Sequence, residues 1–135
     1  EGAKEIRLVN RTFGRAQGLA GEFGGPIKAL PWEERHDVLE GAAMVVNATS
    51  QGMAGQPALD IRLDKLSKTA LAADIIYIPL ETPFLAAARA HGNRTVNGLG
   101  MLLHQGRPAW KAWFGIEPVV TAELRLMMEK SIQDG

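Results

Sequence analysis

The residues best suited to chemistry lie in a single stretch, residues 4–15, reading KEIRLVNRTFGR. Ile6, Leu8 and Val9 form a short apolar run that ends in Asn10-Arg11-Thr12, and a helical pattern follows at once. A strand that turns into a helix is half of a βαβ unit. Open parallel sheets bind ligands beside the carboxyl ends of such strands. An acidic residue at the tip of such a strand takes a ribose 2′-hydroxyl, whereas an arginine accommodates a 2′-phosphate. This tip carries Asn10, Arg11 and Thr12, with Arg15 one helical turn further on and no carboxylate. The arrangement suits a phosphorylated ribose. The alternative is a helix start capped by Thr12, with both arginines left in water.

Two more apolar runs end in polar residues. Residues 42–46 (AAMVV) lead into Asn47-Ala48-Thr49-Ser50, and residues 70–77 end at Tyr77. The ends of parallel strands lie on one side of a sheet, so Asn10, Asn47 and Tyr77 can face one crevice; each taken singly is also ordinary turn chemistry. Gly98-Leu99-Gly100 matches the dinucleotide glycine fingerprint poorly. These glycines either let a flat ring approach the backbone or form a tight turn. His36, His91 and His104 lack metal-ligand spacing and read as surface or structural residues, and Glu33-Glu34 as a solvated pair. There is no nucleophile elbow, P-loop or metal box.

The elements that must position these residues alternate. Phe13, Ala16, Ala20 and Phe23 share one helical face, closed by Gly24-Gly25. Residues 26–30 read as a short strand, and residues from 31 to about 41 as a polar segment with a turn of helix. The run 42–46 reads as a strand buried on both faces. Residues 58–68 read as loop with a helical turn, and 70–77 as another buried strand. Thr82-Pro83 starts a helix that stops at Gly92. Residues 94–96 suggest a short strand. A further helix carries Leu99, Met101, Leu102 and Gln105, and Pro108 is expected to kink or split it. Val120, Leu124, Met127, Met128 and Ile132 line one side of a last helix. This order implies an α/β fold of the Rossmann-like, doubly wound kind.

The 135 residues have the size of one domain. Fifteen basic and fifteen acidic side chains cancel, so no broad surface for nucleic acid or anionic lipid is indicated. The absence of cysteine excludes disulfides, thiolate metal sites and a cysteine nucleophile, and fits a reducing cytoplasm. The longest apolar stretch, residues 70–80, is interrupted by Asp74 and too short to span a bilayer. Glu1-Gly2 looks like the end of a preceding helix, with Gly2 as its C-terminal cap.

Four motifs, NRTFGRA at 10–16, VNATSQGM at 46–53, ADIIYIPLETPFL at 73–85 and GLGMLLHQG at 98–106, together resemble the C-terminal, NADP-binding half of the shikimate dehydrogenase family. The resemblance covers nearly the whole chain. It implies a partial NADP-binding domain over residues 1–135, with C-terminal helices from about 98 onward, and reduction of 3-dehydroshikimate to shikimate with NADPH. By the same resemblance, Asn10, Arg11, Thr12 and Arg15 clasp the adenosine 2′-phosphate, while Thr49 and Ser50 lie along the cofactor. Ile75, Gly98 and Met101 surround the nicotinamide, and Tyr77 and Gln105 reach the substrate. Asn97 departs from the family's usual aspartate before GLGM; it keeps the acceptor, so the helix start is expected to survive.

The resemblance also places the family's catalytic lysine and aspartate, and its glycine-rich loop with the first strand and helix, outside these residues. Three other readings stay open: a quinate/shikimate dehydrogenase using NAD, a non-catalytic nucleotide-binding module, and a glutamyl-tRNA reductase relative. Without a central strand the isolated chain is expected to form a homodimer, rearrange its strands or fold only marginally.

Overall fold

A computed structural model describes residues 2–134 of the chain. They divide into two compact units, residues 1–42 with 61–67, and residues 43–60 with 68–135. The helix end expected at Glu1 falls outside the described residues.

In the first unit, strand β1 (Ile6–Val9) is followed by helix α1 (Phe13–Phe23) and strand β2 (Ile27–Leu30). The strands pair in parallel, Ile6 opposite Ile27 and Val9 opposite Leu30. Gly24 and Gly25 both take positive φ, which ends α1 and turns the chain back into β2. Two short 3₁₀ turns, Trp32–Glu34 and Asp37–Leu39, follow. Arg7 reaches across to the carbonyls of Val38 and Glu40 at 2.7 and 2.6 Å, tying this segment to β1. Ala16, Leu39, Leu63 and Leu66 form the buried core of the unit. Of the expected apolar face of α1, Ala16 is buried but Phe23 is 70% exposed. The helix has three glycines in eleven residues and too few large side chains to cover both ends.

In the second unit, strands β3 (Met44–Asn47), β4 (Leu71–Asp74) and β5 (Arg94–Val96) make a parallel sheet in the order β3-β4-β5. Helix α2 (Pro83–His91) joins β4 to β5, and α3 (Leu99–Phe114) and α4 (Ala122–Asp134) follow. The Thr82-Pro83 signal acts as read. Thr82 Oγ1 accepts from Leu85 N at 3.3 Å, and Gly92 closes α2 in the left-handed conformation. Ala72, Ile76, Phe84, Leu85, Ala88 and Leu99 make the core. Full burial of Leu85 and Leu99 stabilises by about 1.5–3 kcal/mol each.

The parallel α/β pattern is therefore present, but its five strands form two small sheets. Among the described residues, β1 pairs only with β2 and β3 only with β4. Strand β3 is not buried on both faces: as an edge strand it leaves Met44 55% and Val46 47% exposed. Strand β4 stops at Asp74, three residues short of Tyr77, because the Asp74 side chain takes the Ile76 N–H at 3.0 Å and bends the chain out. Residues 58–68 are loop with one hydrogen-bonded turn, Leu66 N donating to the Leu63 carbonyl at 2.9 Å, and an antiparallel bridge joins Leu66 to Glu40.

Pro108 does not split α3. Proline there removes one ladder bond, while Arg107, bonded to the Pro118 carbonyl and Glu117, and Lys111, also bonded to Glu117, fasten the flanking turns. On α4 the half-buried face is Arg125, Met128, Glu129 and Ile132, whereas Leu124 and Met127 are exposed. No described helix is long and apolar enough to cross a membrane.

Candidate cofactor site

The turn after β1 is shaped by Asn10. Its Oδ1 accepts from Thr12 N at 2.8 Å, and the Thr12 carbonyl accepts from Arg15 N at 2.9 Å. This side-chain bond passes the chain from strand to helix within two residues. Thr12 stands at the N-cap, but its hydroxyl makes no capping bond. No acidic residue lies in the first turn of α1, so the partial positive charge of its N-terminus is unbalanced by the chain itself. Arg11 and Arg15 are exposed, and neither has an ion pair among the described residues. Glu5, at the other end of β1, is held by Lys28 and Arg7, at 2.6 Å each. Its hydrogen bond to Lys28, and next that to Arg7, hold its carboxyl below the ordinary value of 4.5. The turn thus presents two guanidinium groups and a helix N-terminus with no anion of the protein's own.

The second unit brings three expected residues together. Ile75, Gly98 and Met101 line one cleft of about 580 Å³, with Asn97, Arg89 and Arg125 on its other walls. Ile75 and Met101 turn exposed apolar surface outward, which suits the face of a flat ring. Gly98 is a glycine for a different reason from the one the sequence suggested. Its φ of −74° is open to any residue, but an added Cβ would lie 1.9 Å from the Ile75 carbonyl oxygen. The close approach is made by the protein's own backbone, fixed by a 2.8 Å bond from Gly98 N to the Ile76 carbonyl. Asn97 starts α3 as expected, its Oδ1 accepting from Leu99 N at 3.3 Å. Its amide also donates to the Leu80 carbonyl at 3.0 Å, a bond aspartate could not make.

Thr49 and Ser50 are exposed on the loop after β3. Thr49 is held by two bonds to Asn47 Oδ1, from its N–H at 3.1 Å and its hydroxyl at 2.8 Å. Tyr77 is half-buried and Gln105 exposed, and neither lines the cleft around Gly98. His36 Nδ1 accepts from Arg62 N at 3.0 Å. His91 Nδ1 meets Asn93 Oδ1 at 2.8 Å; the Asn93 amide donates to the Ala70 carbonyl, so the imidazole carries the proton on Nδ1. Both are structural. No group of three histidine or carboxylate side chains among the described residues could hold a metal.

Sequence reading passed over Asp74. It is 3% exposed and the only buried ionisable side chain among the described residues, and it lies opposite Asn47 at the ends of two paired strands. The available signal was a single carboxylate inside the apolar run 70–80.

Parallel strands joined by helices, with polar turns at their carboxyl ends, define an α/β domain of the Rossmann-like, nucleotide-binding class. No family model matches the chain. It is 53% identical over 132 residues to a shikimate dehydrogenase (NADP(+)) of Nitrobacter hamburgensis, covering 98% of this chain and 46% of that protein. The chain is homologous to shikimate dehydrogenases, and spans about half the length of the curated relatives it matches. Among solved structures, quinate dehydrogenase of Corynebacterium glutamicum in complex with NAD superposes with a TM-score of 0.81 at 29% identity, over 99% of this chain and 48% of that one. Shikimate 5-dehydrogenase of Thermus thermophilus, in complex with NADP(H) and shikimate, gives 0.72 at 33% identity, over 96% and 46%.

Proposed function

We propose that the chain is the NADP-binding part of a shikimate dehydrogenase, serving the reversible NADPH-dependent reduction of 3-dehydroshikimate to shikimate in aromatic amino-acid biosynthesis in the cytoplasm. In this reading residues 1–135 act as one partial cofactor domain, with the helices from about 98 onward completing it. The observation that carries the proposal is the turn from Asn10 to Arg15, whose two guanidinium groups meet no carboxylate at a helix start free of acidic residues. A ribose 2′-phosphate supplies the missing anion, and planar guanidinium forks match its oxygens. Asn10 holds the turn in shape and Thr12 offers its hydroxyl to the same phosphate.

In the second unit, Thr49 and Ser50 follow the cofactor chain. Ile75 and Met101 cover the nicotinamide, and Gly98 lets the start of α3 close on the Ile75 backbone between them. When bound, NADPH supplies the hydride. Tyr77 and Gln105 orient the substrate through its hydroxyls and carboxylate. The lysine and aspartate that handle the proton belong to the other half of the protein.

The test is cofactor preference in the complete protein. NADPH is expected to exceed NADH strongly in kcat/KM, and Arg11→Ala is expected to erase most of that preference. One charge-assisted hydrogen bond contributes about 1.5–3 kcal/mol, or roughly 10- to 150-fold. Equal use of both cofactors by the unaltered protein, or an Arg11→Ala loss shared equally by NADPH and NADH, refutes the phosphate assignment.

A further inference from the structure

Asp74, Asn47 and Thr82 form one closed hydrogen-bonded group, each at most 3% exposed. The Asn47 amide donates to both Asp74 oxygens at 3.2 Å and to the Gln51 carbonyl at 2.9 Å. Thr82 Oγ1 donates to Asp74 Oδ2 at 2.7 Å, and Ile76 N donates to Asp74 Oδ1 at 3.0 Å. Asn47 Oδ1 in turn holds Thr49 by its N–H and its hydroxyl, and Thr49 Oγ1 accepts from Gln51 N at 3.0 Å. Among the described residues no cation is bonded to the carboxylate; an amide, a hydroxyl and a backbone N–H stand in its place.

Burying a carboxylate without a cation is expensive, so a core built for stability alone would use apolar residues at this place. What the carboxylate achieves is geometric. Four donor contacts from three separate segments converge on one group: the loop after β3, the turn after β4 and the first turn of α2. The first of these segments carries Thr49 and Ser50. The second carries Ile75, and through the Ile76–Gly98 bond it also sets the start of α3, where Met101 lies.

We propose that Asp74 is a positioning residue for cofactor binding, setting the Thr49–Ser50 loop and the Ile75–Ile76 turn in one register through Asn47 and Thr82. The proposal rests on the assignment of those segments to NADP(H) made above. Asn47→Asp puts two carboxylates about 3.2 Å apart in a buried site. Asp74→Asn sets two amides donor to donor. The double exchange, Asn47→Asp with Asp74→Asn, restores one donor facing one acceptor between the two residues and keeps the acceptor for Thr49, while the amide's bond to the Gln51 carbonyl is lost.

The experiment measures the NADPH dissociation constant of the complete protein by nucleotide fluorescence, well below each variant's melting temperature. Each single exchange is expected to weaken binding at least tenfold, and the double exchange to bind more tightly than either single exchange. Folded single variants with NADPH affinity within twofold of the starting protein overturn the proposal and leave a purely structural group. Where the single variants do not fold, Thr82→Val, which deletes the hydroxyl's bonds to Asp74 and to Leu85 N, is compared with Thr82→Ser, which keeps both: unchanged affinity in Thr82→Val overturns the proposal, and a several-fold loss that Thr82→Ser does not share supports it. A starting protein that does not bind NADPH at all removes the functional reading itself, an outcome distinct from variants that bind normally.

Discussion

Replacing Gly98 by alanine separates two explanations of a glycine that ordinarily look alike. With φ at −74° and ψ at −7°, the residue already has a helical backbone. Were conformational freedom the reason for glycine, alanine would be neutral or would stabilise by about 0.5–1 kcal/mol. The packing says otherwise. The new Cβ would stand 1.9 Å from the Ile75 carbonyl oxygen and 2.3 Å from its carbon, where real contacts essentially never fall below 3.0 Å. Both atoms are backbone and cannot rotate aside, so the β4 turn and the start of α3 must separate by at least about 1 Å.

That separation strains the core by about 1–3 kcal/mol. It also breaks the Gly98–Ile76 hydrogen bond, a loss of about 0.5–1.5 kcal/mol. Against the small helical gain, the net destabilisation is about 2–3 kcal/mol, which in a protein twice this length lowers Tm by roughly 5–10 °C. The assay is thermal unfolding of the complete protein, with the KM for NADPH measured at low temperature; KM rises because Ile75 and Met101 move apart. Gly18→Ala, in the exposed interior of α1 with nothing within 4 Å of its added Cβ, is the control. It is expected to stabilise by about 1 kcal/mol. If Gly98→Ala melts at or above the temperature of the unaltered protein and leaves KM unchanged, the steric account is wrong.

Glu5 predicts an acid dependence. Its carboxyl is held below the ordinary value of 4.5 by Lys28 and then Arg7, so its contribution is present above that value and is lost as the pH falls through the depressed one. Glu5→Gln should therefore lower Tm at pH 7 and converge with the unaltered protein toward pH 3; curves that stay parallel across that range refute the pairing. The isolated 135-residue chain should self-associate in size-exclusion chromatography with light scattering. β1 and β3 each keep an unpaired edge among the described residues, and Trp113 is 75% exposed; a monodisperse, high-melting monomer would count against this.

What could be read in the sequence, and what could not, divides by the distance over which each effect acts. Thr82-Pro83 and Gly92 bound α2 as read, because a cap, a first-turn proline and a left-handed glycine act within a few residues. Asn10-Arg11-Thr12 was legible as a strand-to-helix turn for the same reason, although the bond that orders it comes from Asn10 and not from the Thr12 cap. The exposure of Met44 and Val46 was not legible, since an apolar run reads alike in a central strand and an edge strand. That Pro108 leaves α3 unsplit was not legible, because the bonds that fasten its flanking turns come from Glu117 and Pro118, beyond the helix.

Asp74 is the sharpest instance. In one dimension it is a break in an apolar stretch; its meaning depends on the parallel register that sets it opposite Asn47, twenty-seven residues earlier in the chain. Asp74 borders the cleft around Gly98 but is only 3% exposed, and its bonds run to the protein's own donors, so a search for ligand contacts passes it by. Its place is recognisable only by asking why a charge is buried where a leucine would be more stable. The donors then answer, because two of them, Asn47 and Ile76, lead to segments of the proposed cofactor site.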